Sequence, residues 1–187
     1  MRSRTELDPV EINAGAWYLR ALRADDRIDD RPAVVSSASD PEILRWRHRL
    51  EPTLEAATTY VADRLEGWAR DECYSWGVCE PTTGRMLGEV ELVSLDLPMG
   101  TAEVTCWALP EARGRGMATT AVGAIVRFAF DGLGLHRVAY LWAVGNTASA
   151  RVAARCGFVV EGRQRSAWVV DGRRTDVMIG ARLSTDS

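Results

Sequence analysis

The sequence predicts a single α/β domain in which a mixed, mostly antiparallel sheet is flanked by helices. Its 187 residues suit one domain, and 47% hydrophobic with 26% charged residues is the composition of a packed protein. Strand-like and helix-like segments alternate along the chain, with no repeat, low-complexity tract or linker between them. In the middle of the chain, three strand-like segments follow one another through short turns, which is typical of an antiparallel meander.

The first third of the chain predicts a tail, one strand and three helices. Residues 1–15 are polar and unpatterned, so we assign them to an N-terminal tail and the domain to residues 16–184. A strand is predicted over 17–23, followed by two short helices that each start near a proline. A longer helix is predicted over 53–71, because apolar residues recur three or four positions apart at Leu54, Ala57, Val61, Leu65 and Trp68.

The remainder of the chain alternates between strands and helices. Strands are predicted over 74–80, 86–93, 101–109, 136–144 and 158–165, and helices over 116–130 and 147–156. The dipeptide Asp171-Gly172 predicts a tight hairpin turn between the last two strands. This order supports one mixed α/β domain without a division.

The composition excludes several classes of function. All 23 basic residues are Arg, so the chain contains no Lys. Schiff-base enzymes, pyridoxal-phosphate enzymes and P-loops of the GxxxxGK[ST] kind each need a lysine and are therefore excluded. The formal net charge of −3 gives no overall attraction to nucleic acid or to an anionic membrane, so we expect neither as a partner.

The cysteines and histidines do not suggest a metal site. The four cysteines form no C-x-x-C pair, and the two histidines add no zinc-site spacing. We interpret His48 as a loop surface residue and His136 as a structural residue. The N-terminal segment lacks the apolar core of a signal peptide, and no apolar run is long enough to span a bilayer. We therefore expect a reduced, cytoplasmic protein.

The densest functional signal is the segment Pro110-Glu-Ala-Arg-Gly-Arg-Gly-Met-Ala118, between a predicted strand and a predicted helix. Its two glycines permit positive φ and a close ligand, so successive N–H groups can point at one anion. The helix start adds free N–H groups and a positive dipole end, and Arg113 and Arg115 add charge. The segment predicts a phosphate-binding loop. The alternative is a loop that binds nothing and whose glycines only turn the chain between the strand and the helix. The dinucleotide fingerprint G-x-G-x-x-G is absent, because no glycine follows at position 119.

Several motifs together resemble one known family. The run R-G-R-G-M-A over 113–118 matches the [Q/R]-x-x-G-x-[G/A] pyrophosphate loop of the GNAT superfamily of acyl-CoA-dependent acyltransferases. The run N-T-A-S-A-R-V-A-A-R-C-G-F over 146–158 resembles the N-x-x-S…G-F segment of that superfamily. It is most similar to the Rim-type branch, which contains ribosomal-protein N-terminal acetyltransferases. Segments 128–138 and 168–177 also look like that branch, and the resemblance extends over residues 17–183.

The resemblance implies a splayed sheet and a co-substrate, acetyl-CoA or another acyl-CoA. In such enzymes, the glycine-rich loop wraps the pyrophosphate, and the strand before it separates from its neighbour to bind the pantetheine arm. The residues that would contact the donor are Trp107, Ala108, Leu109, Arg113, Gly114, Arg115, Gly116, Met117, Ala118 and Asn146. Ser149 would lie near the thioester sulfur and protonate the departing thiolate, as a catalytic residue.

The reaction that the resemblance implies is direct attack of a neutral amine on the thioester, which requires a base. Glu103 is the candidate base, because some histone-type members carry their base at this strand position. Glu89 and Glu91 on the adjacent strand are alternatives, and all three could instead be exposed sheet residues. In some ribosomal-protein enzymes the base lies seven residues after the Glu of an E-G pair. That Glu is Glu161 here and the position is Trp168, which argues against a ribosomal-protein acceptor.

The sequence leaves the amine acceptor open between a small molecule and a peptide N-terminus. Trp46, Glu89 and Trp168 are predicted to contact it, and the two tryptophans suit an apolar or ring-containing amine. One alternative is a tailoring or self-resistance enzyme for a small amine metabolite, with a larger acyl-CoA or an acyl group on a carrier protein as the donor. The alternative from another class is a non-catalytic CoA sensor. Both a monomer and a homodimer are compatible with the sequence.

Overall fold

In the computed structural model, which describes residues 8–47 and 50–186, eight strands form one sheet in the order β1-β2-β3-β4-β5-β6-β8-β7. The strands are β1 (Ile12–Ala14), β2 (Trp17–Arg20), β3 (Tyr74–Cys79), β4 (Met86–Asp96), β5 (Thr101–Ala108), β6 (Arg137–Ala143), β7 (Val159–Val170) and β8 (Arg173–Leu183). Neighbouring strands are antiparallel except β5 and β6, which are parallel. The predicted α/β class with a mostly antiparallel sheet is confirmed.

Among the described residues, five α-helices flank the sheet. They are α1 (Arg31–Ser39), α2 (Pro41–Trp46), α3 (Leu54–Ala69), α4 (Met117–Arg127) and α5 (Thr147–Arg155), and α4 continues into a π-helical turn over Phe128–Gly132. No helix in the described part of the chain is long and apolar enough to cross a membrane.

Side-chain caps set the starts of three helices. The Asp40 carboxylate accepts from the Ile43 N–H at the start of α2 (2.9 Å), and the Thr53 hydroxyl accepts from the Ala56 N–H at the start of α3 (3.1 Å). The Asn146 side chain accepts from the Ser149 N–H at the start of α5 (3.0 Å). Each cap satisfies an N–H group that has no partner within the helix, so these polar residues define where each helix begins.

The hydrophobic core lies on both faces of the sheet. On one face, α4 packs its buried Ala121, Val122 and Ile125 against strand residues such as Val90 and Val104. On the other face, α1, α2 and α3 cover a second cluster of buried residues: Leu22, Val34, Ile43, Ala57, Val61, Cys79, Met86, Trp107 and Leu109. Because side chains alternate between faces along β5, Val104 faces α4, and Trp107 and Leu109 face α1–α3.

The N-terminal boundary differs from the prediction. Residues 12–14, which the polar composition assigns to a tail, form β1 and pair with β2 through a turn at Gly15. A strand of three residues contributes too few apolar positions to produce a readable alternation, so composition alone misses it. Residues 1–7 of the predicted tail, and His48, lie outside the described residues.

A buried ion pair fixes α1 against the sheet. Arg20 on β2 and Asp30 at the start of α1 are 3% and 2% exposed, and two hydrogen bonds of 2.6 and 2.9 Å join them. Asp30 also accepts from the Arg23 N–H (2.7 Å), and Arg20 also donates to the Gly84 carbonyl oxygen in the turn between β3 and β4 (3.1 Å). The buried charges of Arg20 and Asp30 therefore keep all their partners only while β2, the start of α1 and the turn between β3 and β4 stay together.

Asp30→Asn is expected to lower the free energy of unfolding by about 3–5 kcal/mol, because it leaves the Arg20 charge buried without its counterion. Urea unfolding of the wild type and the variant measures the difference. The matched control is Asp29→Asn, which removes a partly exposed pair with Arg31 and is expected to cost less than about 1 kcal/mol. Equal losses for the two variants would contradict a structural role for the buried pair.

Candidate active site

A gap opens between β5 and β6 in the middle of the sheet. Among the described residues, their pairing is limited to Thr101–Glu103 on β5 opposite Arg137–Ala139 on β6. Both strands continue beyond this point, to Ala108 and Ala143, while β5 stays fully paired with β4. The facing edges of β5 and β6 therefore hold backbone polar groups that are available to a ligand.

The register of β4 and β5 decides which N–H groups face the gap. The Leu109 N–H donates to the Leu87 carbonyl oxygen on the β4 side (2.8 Å). Because N–H directions alternate along a strand, the Trp107 N–H also points at β4, and those of Cys106 and Ala108 point into the gap. Of the three strand residues predicted to bind the donor, Ala108 presents its N–H there. The N–H of Leu109 is occupied, and Leu109 does not line the pocket described next.

A pocket of about 450 Å³ occupies the open end of this gap. Its walls are the last residues of β5, the loop that follows them, one face of α5 and the end of α2. Ten of the predicted site residues line it: Trp46, Trp107, Ala108, Arg113, Gly114, Gly116, Met117, Ala118, Asn146 and Ser149. Residues far apart in the sequence thus meet at one surface.

The loop between β5 and α4 has the backbone geometry of an anion cradle. Gly114 and Gly116 have φ angles of +74° and +76°, which L-residues rarely adopt. Gly116 is the N-cap residue of α4, so the free N–H groups of the first turn of α4 open next to it. A Cβ atom at Gly116 would meet no heavy atom within 4 Å, so the space above the loop is open to a ligand.

The two arginines of the loop have different surroundings. Arg113 lines the pocket, donates to the Ala108 carbonyl oxygen (3.2 Å) and pairs with Asp40, the N-cap of α2 (2.5 Å). Arg115 turns away from the pocket: its guanidinium lies 4.8 Å from the Trp17 ring centroid and 3.4 Å from a Glu80 oxygen. Arg113 is thus placed to meet an anion at the pocket, and Arg115 fastens the back of the loop to the sheet.

Three side chains meet across the gap. The Tyr140 hydroxyl on β6 lies 2.8 Å from the Ser149 hydroxyl on α5 and 3.8 Å from the Cys106 sulfur on β5. Burial raises the pKa of Cys106 to about 11 and raises the pKa of Tyr140 far above its usual value. Both groups are therefore neutral at pH 7, and Cys106 lacks the thiolate character of a nucleophile.

The end of α2 forms the opposite wall of the pocket. Trp46 is partly buried there and donates from its indole Nε1 to Glu42 (3.0 Å). Arg47 also lines the pocket, with its guanidinium 5.7 Å from the Trp107 ring centroid. This wall therefore offers an aromatic surface with one charge of each sign.

Glu89 does not reach the pocket, which does not fit its predicted contact with the acceptor. It is 0% exposed and its carboxylate accepts from the Trp107 indole (2.8 Å) and the Tyr60 hydroxyl (2.7 Å), on the face that α3 covers. Glu91 lies beside it, 2.6 Å from Arg64 and 3.6 Å from Arg47. Burial and the nearby Glu89 charge raise the pKa of Glu91. Glu89 thus supports Trp107 from the α3 side of the sheet.

Two other predicted site residues also lie outside the pocket lining. Glu103 is partly buried at the start of β5, where burial raises its pKa. It is four residues from Trp107, about 13 Å along the strand. Trp168 lies on β7 opposite Thr175 and is partly buried.

Sequence reasoning missed Tyr140, Arg47, Arg151 and Arg155, all of which line the pocket. The two α5 arginines had a readable signal, because they are four residues apart and therefore share one face of the short helix that follows Asn146. Tyr140 had no such signal in the sequence, since an aromatic residue in a buried strand is ordinary core composition. Within the described ranges, no three His, Cys, Asp or Glu side chains gather in a way that could hold a metal ion.

Comparisons with known proteins agree with this geometry. Residues 18–159 match the model of an acetyltransferase (GNAT) domain family. A Bacillus subtilis (strain 168) protein named ribosomal N-acetyltransferase YdaF is 37% identical over 133 residues, which are 70% of this chain and 73% of that protein. This relative supports the Rim-type resemblance.

Solved structures show the same fold. The ribosomal-protein-S5-alanine acetyltransferase from Vibrio fischeri has a TM-score of 0.82 at 19% identity, over 95% of this chain and 98% of its own. The spermidine N-acetyltransferase from Vibrio cholerae, in complex with CoA and spermine, has a TM-score of 0.79 at 22% identity, over 91% of this chain and 96% of its own. Fold, motifs and family match agree: the chain belongs to the GNAT family of N-acetyltransferases, which use acetyl-CoA as the acyl donor.

Proposed function

We propose that the protein transfers the acetyl group of acetyl-CoA directly to a primary amine, within a ternary complex and without an acyl-enzyme. The observation that carries this proposal is the gap between β5 and β6, which leads from a glycine-rich loop to an aromatic wall. A thioester in the gap is open to an amine that enters past Trp46. Cys106 lines the pocket, but it is neutral at pH 7 because its pKa is raised to about 11, so it is not activated to form an acyl-enzyme.

Each part of the pocket has a role in binding the acyl-CoA donor. The pyrophosphate accepts from the N–H groups at Gly114, Gly116 and the start of α4, with Arg113 as countercharge. The pantetheine arm lies in the gap against Ala108 and the side-chain amide of Asn146. A carrier-protein arm has no adenosine nucleotide and would leave this cradle largely unused, so the loop favours acyl-CoA. We infer a cytoplasmic location, where that donor is available.

The reaction needs stabilisation of negative charge on the thioester oxygen. The N–H groups of Cys106 and Ala108 point into the gap and serve as oxyanion donors, each worth about 2.7–4 kcal/mol by analogy with other enzymes. As the C–S bond breaks, its electron pair goes to sulfur and the Ser149 hydroxyl donates to the developing thiolate. The thiolate takes up the proton that the amine nitrogen loses, through Ser149 or water. Acyl transfer is thereby complete without a change in the enzyme.

The need for a base depends on the acceptor. At pH 7 an α-amine with a pKa near 8 is about 10% neutral, whereas a lysine-like amine near 10.4 is about 0.04% neutral. Glu103 is the proposed base, because the family resemblance assigns a base to this strand position and burial raises the pKa of its carboxyl group. At about 13 Å from Trp107, it must receive the proton through water. Glu91 is the second candidate, connected to the pocket through Arg47.

A panel of amines tests the proposed reaction. Spermidine, a short peptide with a free N-terminal alanine and an Nα-blocked lysine are each incubated with the protein and acetyl-CoA. We expect thiol release with at least one amine, together with a product 42 Da heavier by mass spectrometry. Stabilisation by CoA without any thiol release across a wide amine panel would instead indicate a non-catalytic CoA sensor.

Gly116→Val is expected to weaken CoA binding more than tenfold by calorimetry, because a branched side chain at a φ of +76° covers the cradle and distorts it. The same strain is expected to lower the free energy of unfolding by about 1–3 kcal/mol. Gly84→Val is the matched control, since Gly84 has a φ of +70° and equally open space but lies in the turn between β3 and β4. Equal CoA affinity for Gly116→Val and the wild type would remove the loop from the donor site.

Glu103→Gln is expected to lower kcat/KM at pH 7, with the deficit narrowing toward pH 9. A base matters only while the amine is protonated, and the neutral amine accumulates as the pH rises through the amine pKa. Glu66→Gln, at an exposed position on α3, controls for the charge change. A deficit that is constant across pH and across amines of different pKa would transfer the role to Glu91 or to water.

A further inference from the structure

Tyr140 occupies a distinctive position in the gap. It is the first residue of β6 beyond the last position paired with β5, Ala139. Its ring contacts those of Trp142 and Phe158, at centroid distances of 6.1 and 5.3 Å. Two aromatic neighbours therefore hold the side chain in place where it lines the pocket.

The Tyr140 hydroxyl has one strong hydrogen-bond partner among the described residues. The Ser149 Oγ atom is 2.8 Å away, a usual O–H···O distance. The Cys106 sulfur at 3.8 Å is a weaker acceptor. Because the phenol stays protonated at physiological pH, it always has a proton to donate, and Ser149 is the best acceptor for it.

Ser149 itself has little else to fix its hydroxyl direction. Its backbone N–H is bound to Asn146, so the helix cap does not use the Ser149 side chain. A serine hydroxyl rotates freely unless a partner selects one orientation. A hydrogen bond accepted from Tyr140 selects that orientation and, by polarising Oγ, makes the serine O–H a stronger donor.

We propose that Tyr140 is a positioning residue for the acetyl transfer: it donates to Ser149 Oγ and thereby directs the Ser149 O–H at the thioester sulfur. This inference rests on the proposed role of Ser149. Tyr140 keeps its own proton throughout, so no further base or acid is needed. The hydroxyl acts only through Ser149, which distinguishes it from a residue that touches the substrate.

A double-mutant cycle tests the inference with the most active amine of the panel described above. Tyr140→Phe keeps the ring and its packing. It is expected to lower kcat about tenfold, which corresponds to the loss of one hydrogen bond, and to leave the KM for acetyl-CoA within about twofold of the wild-type value. Ser149→Ala is expected to lower kcat at least as much. The double variant is expected to match Ser149→Ala alone, because Tyr140 has no effect once Ser149 is gone. Tyr18→Phe on β2 is the matched control and is expected to leave kcat unchanged.

Three other outcomes would each contradict at least one of the proposed roles. If Ser149→Ala lowers kcat but Tyr140→Phe does not, the positioning role is overturned and the proposed role of Ser149 stands. If the two losses multiply in the double variant, Tyr140 acts independently of Ser149 and the inference is wrong. If Ser149→Ala has no effect, both the role of Ser149 and the positioning role fail. Melting temperatures of all variants show whether a loss of kcat comes from unfolding.

Discussion

The separation of β5 from β6 after three paired residues is the constraint on which the rest of the site depends. A fully paired sheet would use the Cys106 and Ala108 N–H groups in its own ladder and leave no room for a thioester. Where the strands part, the same groups become donors that are fixed in position before any ligand arrives. Such preorganisation lowers the cost of stabilising charge in the transition state.

Several interactions keep β5 in place although one of its edges is open. On the side of β4 the ladder extends from Thr101 to Ala108. Gly88 on β4 allows a close approach there, because a Cβ atom would lie 2.4 Å from both the Met117 side chain and the Trp107 carbonyl oxygen. On the α3 face, the indole of Trp107 donates to the buried Glu89. The buried Glu89 therefore helps to hold Trp107 in the wall of the pocket.

The glycine-rich loop and the end of α2, on opposite sides of the pocket, are also connected. Asp40 caps α2, which carries Trp46, and the same carboxylate pairs with Arg113 of the glycine-rich loop. Arg113 in turn donates to the Ala108 carbonyl oxygen at the end of β5. One arginine thus joins the loop, the strand and the helix. An anion bound at the loop would compete with Asp40 for this guanidinium, so the glycine-rich loop and the α2 wall of the pocket share one electrostatic contact.

Local patterns predicted most of the elements, and long-range geometry explains what they missed. The apolar spacing from Leu54 to Trp68 predicted α3 to within two residues, and the glycines at 114 and 116 predicted the turn into α4. The burial of Glu89 could not be predicted, because a carboxylate at an alternating strand position is usually exposed. Its partners Tyr60 and Trp107 lie 29 residues before it and 18 after it. Tyr140 was missed because an aromatic residue in a strand is ordinary core composition, and its contact with Ser149, nine residues later, depends on how α5 returns to the gap.

Amide hydrogen exchange along β5, resolved by residue with NMR, distinguishes the N–H groups that face the gap from those that are paired with β4. In the free protein, the Cys106 and Ala108 N–H groups should exchange quickly, while the Trp107 and Leu109 N–H groups are protected by β4. Saturation with acetyl-CoA should slow exchange at Cys106 and Ala108 and leave the other two protected. Strong protection of Cys106 and Ala108 without a ligand, or no change on binding, would contradict a donor site built from the gap between β5 and β6.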